Sequence, residues 1–201
     1  MDYLLLGFLT GLSLILAIGA QNVFVIEQGL KKQYIFIVCL ICSISDLLLI
    51  FVGIFLFEYL NNFFTPSIEL IFNILLFIFL LHFIWGKIKY QFSETSFNID
   101  YKTNHLSKIT AKTLSFTFLN PHVYSDTVFF LGNFSKGFAT VDKYYFGIGA
   151  AIASFLFFFL IGYLSKYLSK YLQNETIWKK INYLIIFFMS ILALKVLTKI
   201  I

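Results

Sequence analysis

The chain has 201 residues, of which 60% are hydrophobic and only 12% are charged. Soluble domains carry about a quarter charged residues, so this chain has too little polar surface to cover a water-soluble globule, and lipid is its expected solvent. The net charge of +5 comes from lysines at the ends of apolar runs rather than in one block, which argues against a nucleic-acid partner.

Six apolar runs are each long enough for a membrane helix, which needs about 20 residues. We number these runs as spans one to six; they cover residues 3–26, 34–60, 68–88, 110–131, 144–168 and 177–197. A polar segment at 89–109 separates spans three and four. The sequence therefore predicts an all-α, polytopic membrane protein with six transmembrane helices in a single transporter domain, residues 1–201.

Most of the lysines follow spans one, three and five. By the positive-inside rule, these loops, including 89–109, lie in the cytoplasm and both termini lie outside. If span one did not cross, a five-span protein with its N-terminus inside would result. Lys195, near the outer end of span six, is expected to extend to the membrane interface.

The long loop divides the chain into halves of about 1–90 and 110–201, each with three spans. An odd number of spans inserts the second half in the opposite orientation, so we predict two inverted three-helix repeats, as in many secondary transporters. In each half, the first span is the one that polar residues and Gly or Pro interrupt.

Span one contains two carboxamides, Gln21 and Asn22, directly after Gly19. Lipid cannot satisfy their donors and acceptors, so they are expected to face protein or a water-filled cavity. Gly19 permits local unwinding, which is tolerated at membrane depth only beside a cavity. The alternative is that both amides join helices through hydrogen bonds.

Span four contains Asn120 and Pro121, followed within two turns by Asp126. Pro121 lacks an N–H and clashes with the preceding turn, so the helix is expected to kink or break there, and nearby polar side chains such as Tyr124 could satisfy the freed carbonyls. The alternative is a helix that begins near Asn120, with polar residues that only cap its end.

Two carboxylates, Asp46 and Asp126, lie inside predicted spans. A charge at the bilayer centre costs about 2.5–3.5 kcal/mol, so a charged residue is rarely retained there without a partner or a function. Both acids suit a cationic substrate, because attraction is strong in low dielectric. They also suit proton coupling; pairing with a lysine or hydroxyl is the structural alternative. Glu27, near the inner end of span one, is expected to be solvated.

Cys39 and Cys42 form a C-x-x-C pattern inside span two. Such a pair can be redox-active or bind metal, but no further Cys or nearby His accompanies it, so we interpret both as small buried thiols. The sequence shows no metal site, cofactor site, nucleophile–His pair or phosphate loop. It therefore favours no enzyme and predicts no catalytic residue.

Three segments of the chain form a recognisable set: residues 18–29 (IGAQNVFVIEQG), Ser45-Asp46 with Gly53, and residues 119–127 (LNPHVYSDT) with Leu131-Gly132. In sequence, order and spacing, and in a chain of this length, they resemble the motifs of the LysE/ArgO family of basic amino-acid exporters. Two positions depart from it: Glu27 stands where a basic residue is common, and Tyr124-Ser125 where an apolar residue often precedes the Asp.

The resemblance implies an exporter of L-lysine or L-arginine in the bacterial inner membrane, driven by protons or the membrane potential. Its partners would be a basic amino acid and the lipid bilayer, with a homo-oligomer left open. It implies that the pathway is lined by Gln21, Asn22, Asp46, Asn120, Pro121 and Asp126. Alternatives are a neutral amino acid or a metal cation as cargo, a thiol–disulfide electron carrier, which would need Cys on two helices, or a structural subunit.

Overall fold

A computed structural model describes residues 2–16, 19–63, 65–92, 105–120, 123–171, 175–198 and 200. Within these ranges, every regular element is a helix. In chain order, the elements are α1 (Tyr3–Ile15), α2 (Ala20–Lys31), α3 (Ile35–Phe63), α4 (Pro66–Phe92), α5 (Leu106–Phe118), a π-helix (Tyr124–Phe130), α6 (Leu131–Phe134), α7 (Thr140–Leu168), a 3₁₀ turn (Ser169–Tyr171) and α8 (Glu175–Leu197).

Four helices, α3, α4, α7 and α8, are long and apolar enough to cross a membrane. They correspond to predicted spans two, three, five and six, which are confirmed as helices. Helices α1 and α2 together form a further candidate that is bent by 82°, which brings the number of candidate crossings to five.

The interruption expected at Gly19 in span one is confirmed. The backbone leaves the helix after Ile15, and Gly19 is extended, with φ −108° and ψ 175°. The second helix then continues to Lys31, five residues beyond the apolar run. It ends at Lys32, whose φ of 56° is left-handed.

The predicted span over 110–131 is also divided. Helix α5 ends at Phe118, and the chain resumes as the π-helix and then α6. The polar loop is shorter than predicted, because α4 continues to Phe92 and α5 begins at Leu106. The segment formed by α5, the π-helix and α6 is not among the four or five candidate crossings.

The helices pack in a pattern that pairs one half of the chain with the other. Helices α1 and α2 lie against α7, whereas α5, the π-helix and α6 lie against α3. Helix α3 also packs on α7, and α4 packs on α8. The interrupted segment of each half thus lies against the first long helix of the other half.

Two glycine pairs bring these partner helices into close contact. A Cβ on Gly29 of α2 would lie 2.5 Å from the carbonyl oxygen of Gly162 in α7. A Cβ on Gly132 of α6 would lie 2.6 Å from the carbonyl oxygen of Gly53 in α3. Only a residue without a side chain allows these backbones to approach so closely.

An aromatic cluster joins α2, α4 and α5. It consists of Phe24, Phe79, Phe83 and Phe116, and the Phe116 ring lies at the centre, with ring centroids 4.6–5.2 Å from the other three. Phe24 and Phe116 are fully buried within the larger apolar core. Because these rings come from both halves, the cluster ties the halves together on one side of the cavity described next.

Candidate functional site

A cavity of about 160 Å³ lies where the two interrupted segments meet α3, α4, α7 and α8. Polar groups from both halves and apolar side chains share its wall. Its polar and charged side chains are Gln21, Asn22, Asp46, Asn120, Asp126, Thr127, Ser154 and Lys195.

The first helix break places a helix N-terminus at the cavity. Gly19, Ala20 and Gln21 line the wall, and no side chain caps α2 at Gly19. The first N–H groups of a helix have no partner within it, so they are available to a bound group. Asn22 of α2 stabilises the break, because its Nδ2 donates to the carbonyl oxygen of Ile15, the last residue of α1, at 3.0 Å.

The second break is closed in a similar way. The Tyr124 hydroxyl donates to the carbonyl oxygen of Phe118, the last residue of α5, at 2.9 Å. Thr127 donates to the carbonyl of Val123 at 2.5 Å. In both breaks, a side chain from the second helix bonds to a carbonyl freed at the end of the first, as buried backbone groups require.

The π-helix after the second break sets which residues reach the cavity. Val123, Asp126, Thr127 and Leu131 line the wall together. A π-turn holds more residues than an α-turn and frequently occurs at functional sites. It brings the Asp126 carboxylate into the cavity from the opposite half to Asp46.

Asp46 is almost fully buried, at 4% exposure, yet it lines the cavity. Its Oδ2 accepts a hydrogen bond of 2.8 Å from the Ser154 hydroxyl of α7. Among the described residues, no lysine or histidine nitrogen lies within 4.0 Å of this carboxylate. The wall therefore holds an acid that one neutral donor stabilises and no positive side chain neutralises.

Five of the six residues expected to line a pathway meet at this cavity: Gln21, Asn22, Asp46, Asn120 and Asp126. Pro121 lies outside the described residues. Gln21 contributes to the cavity wall, but its Nε2 is buried and interacts with the Cys42 thiol of α3 rather than facing the cavity.

The expectation that Glu27 is solvated was wrong. Its side chain is 3% exposed and pairs with Lys31, one helical turn away, at 2.5 Å. The bend after Ile15 turns α2 so that this end packs against α5 and α7. Lys31 supplies the charge that makes burial of the carboxylate tolerable.

Sequence reasoning missed Ser154, and it did not foresee that Lys195, expected to extend to the membrane interface, lines the cavity. Ser154 lies in a run of small residues typical of helix packing, which gives no sign of a polar partner. The position of Lys195 three residues after Leu192 and one before Val196, both on the cavity wall, could have revealed its face.

Cys39 and Cys42 are both buried and reduced on α3. The Cys39 thiol donates to the carbonyl oxygen of Phe158 at 3.2 Å. Within the described residues, no group of three or more His, Cys, Asp or Glu side chains could hold a metal ion. The cysteines therefore pack the core beside the cavity.

Comparison with known proteins places these features in a family. The family model of the LysE type translocators matches residues 12–200. The chain is 38% identical to the arginine exporter protein ArgO of Pectobacterium atrosepticum over 156 residues, which is 76% of this chain and 75% of that protein. It is 37% identical over 158 residues to ArgO of Klebsiella pneumoniae, covering 78% of this chain and 74% of that protein.

ArgO of Salmonella paratyphi A is 36% identical over 162 residues, covering 78% of this chain and 75% of that protein. No solved structure matches the chain significantly. The matched region contains both helix breaks, both aspartates of the cavity and the glycine pairs. The chain therefore belongs to the LysE family of membrane translocators.

Proposed function

We propose that this protein exports the basic amino acids L-arginine or L-lysine across the bacterial inner membrane. The similar proteins named arginine exporter support the substrate class. The observation that carries the proposal is the Asp46 carboxylate, buried on the cavity wall with Ser154 as its donor and no cationic partner among the described residues.

A buried carboxylate of this kind is stabilised by a bound cation. Removing an ion from water costs several kcal/mol, and one hydrogen bond from a hydroxyl does not compensate for this desolvation. A guanidinium or ammonium group in the cavity would compensate for it, because opposite charges attract strongly where water is scarce. Asp126, on the same wall, offers a second negative group from the other half.

The same carboxylate also provides a means of coupling transport to protons. A monovalent cation that leaves the cell moves against the inside-negative potential, at about 2.3 kcal/mol per 100 mV. If Asp46 holds either the substrate cation or a proton, but not both, each exported cation is exchanged for one proton. No net charge then crosses the membrane, and the proton gradient drives export.

The backbone of the substrate would be held by the helix breaks. The uncapped N-terminus of α2 presents N–H groups to the cavity, and helix N-termini bind carboxylates well. The amide oxygens of Asn22 and Asn120 can accept from an α-ammonium group. These contacts would select amino acids by their common atoms, whereas the aspartates would select a basic side chain.

The aromatic cluster would close the cytoplasmic side. On α2, Phe24 lies one turn beyond the cavity residues towards Lys31, and on α4, Phe83 lies one turn beyond Leu80 towards Phe92. Phe116 lies one turn before Asn120 on the side of Leu106. All three directions lead to the lysine-rich loops, which the positive-inside rule assigns to the cytoplasm.

Six spans in two inverted repeats are the architecture that we propose. The packing supports it, since the pattern of helix pairs is unchanged when the halves are exchanged. The glycine pairs Gly29–Gly162 and Gly132–Gly53 correspond under the same exchange. Movement of the halves about this pseudo-twofold would open the cavity to each side in turn. Reporter fusions at both termini, expected outside, and within 93–104, expected in the cytoplasm, test this topology.

The proposed function is tested by transport into inverted membrane vesicles, where export appears as uptake. Radiolabelled arginine, lysine and a neutral amino acid are offered with and without a proton gradient. We expect gradient-dependent uptake of a basic amino acid, which Asp46→Asn abolishes at unchanged protein level. Asp142→Asn, on α7 outside the cavity, is the matched control. Uptake by Asp46→Asn at the unaltered rate would reject the role of the acid.

A further inference from the structure

We propose that Lys195 binds the α-carboxylate of the exported amino acid, and thereby distinguishes it from the amine that lacks this group. The assignment rests on the proposed function and specifies which end of the substrate each side of the cavity takes. It starts from the charged side chains that the described residues place on the wall: the carboxylates of Asp46 and Asp126 and the ammonium of Lys195.

The position of Lys195 on α8 supports this role. Leu192, Lys195 and Val196 all line the cavity, and their spacing of three and four residues places them on one face of the helix. Lys195 is exposed, although its neighbour Val196 is only 4% exposed. Among the described residues, no carboxylate oxygen lies within 4.0 Å of the Lys195 ammonium, so its charge is available to a ligand.

A second feature on the same wall favours an anion. Gly19, Ala20 and Gln21 begin α2 at the cavity, no side chain caps this helix, and α2 packs against α8. An ammonium and a helix N-terminus both attract a carboxylate.

The charges of cavity and substrate are complementary. At neutral pH, arginine and lysine each carry two cationic groups and one carboxylate, whereas the wall offers two carboxylates and one ammonium. Agmatine, which is arginine without its carboxylate, keeps both cations but leaves Lys195 without a counter-charge. The Lys195 ammonium then has no anion to bind and repels the cationic groups of the ligand, and this difference provides selectivity.

The test compares uptake of L-arginine and agmatine into inverted vesicles that contain the full-length protein. We expect the wild type to prefer arginine. Lys195→Met keeps the length of the side chain without its charge and should lower kcat/KM for arginine by about tenfold or more, since one charge-assisted hydrogen bond is lost. Transport of agmatine should stay unchanged or rise, and Lys195→Arg should restore the preference.

Lys143→Met, in the first turn of α7 and outside the cavity, is the matched control and should retain the wild-type ratio. Thermal shifts of the purified variants with each ligand provide a binding readout that does not depend on transport. An unchanged ratio in Lys195→Met, or equal loss of both substrates, would overturn the assignment. Failure of the proposed function would look different, because the wild type itself would then transport neither compound.

Discussion

The Ser154 hydroxyl donates a hydrogen bond of 2.8 Å to Oδ2 of Asp46, although the two residues are 108 positions apart. The bond joins α3 of the first half to α7 of the second at the wall of the cavity. Ser154 therefore orients the carboxylate towards the cavity and, at the same time, connects the two halves. If the substrate binds Asp46 as proposed, this bond connects the binding site to the packing of the two halves.

Ser154→Ala should weaken transport without unfolding the protein. Hydrogen bonds to charged groups contribute about 1.5–3 kcal/mol, so kcat/KM for arginine is expected to fall by about tenfold or more. Ser165→Ala removes a hydroxyl from another buried serine of α7, away from Asp46, and provides the control. Equal transport by the two variants would show that the bond does not position the acid.

The glycine crossings lead to a prediction about stability. In Gly53→Ala, the new Cβ would lie 2.6 Å from Cα of Val128, so one backbone must move, at a cost of about 1–3 kcal/mol. Gly29→Ala should cost a similar amount, because at the corresponding crossing the new Cβ would lie 2.5 Å from the carbonyl oxygen of Gly162.

The control for both variants is Gly86→Ala, since nothing lies within 4 Å of a Cβ at this position of α4. Alanine also favours the helix there, so this variant should be neutral or more stable. Thermal unfolding of the purified proteins in detergent measures the differences. If Gly53→Ala were as stable as Gly86→Ala, the close crossing would be incorrect.

The long helices could be predicted from sequence because run length and hydrophobicity alone determine them. The helix breaks could also be predicted, because Gly19 and Pro121 are local signals that act on the backbone of their own segment. The 82° bend could not, since the angle depends on how α2 packs against α7. The burial of Glu27 follows from the same bend and was missed for the same reason.

The candidate site divides in the same manner. Asp46 and Asp126 are conspicuous because a charge in an apolar run is costly wherever the chain folds. Ser154 is not conspicuous, since a serine hydroxyl in a helix can bond to the backbone of the same helix. Only the packing of α3 on α7 reveals that Asp46 is its partner. The π-helix changes by one residue which side chains of 124–130 share a face, and no local composition rule predicts that shift.

The buried pair of Glu27 and Lys31 should show measurable coupling. Glu27→Gln removes the carboxylate of this ion pair, and Lys31→Gln removes its ammonium from a carboxylate that is only 3% exposed. Because Lys31 is partly exposed, at 31%, water weakens the pair, and we expect a coupling energy of about 1 kcal/mol. A double-mutant cycle of thermal stabilities measures it, with the double variant more stable than the sum of the single losses predicts. Strict additivity would contradict the pairing.

The proposed role of the aromatic cluster can be tested with the protein's own cysteines. Cys42 is fully buried in the core that contains Phe24 and Phe116, and should react slowly with N-ethylmaleimide. Phe116→Ala removes the central ring of the cluster, so labelling from the cytoplasmic face of inverted vesicles should accelerate about tenfold. That acceleration corresponds to about 1.4 kcal/mol, a fraction of the 3–5 kcal/mol that removal of a buried Phe costs.

Phe130→Ala is the matched control, because this ring of the π-helix is 48% exposed and lies outside the cluster. It should leave the labelling rate unchanged, and a Cys42→Ser background identifies the part of the signal that comes from Cys39. Faster labelling only from the outer face would place the cluster on the wrong side of the cavity. Since Phe24, Phe83 and Phe116 all lie between the cavity and the lysine-rich loops, that result would also reverse the orientation of the whole transporter.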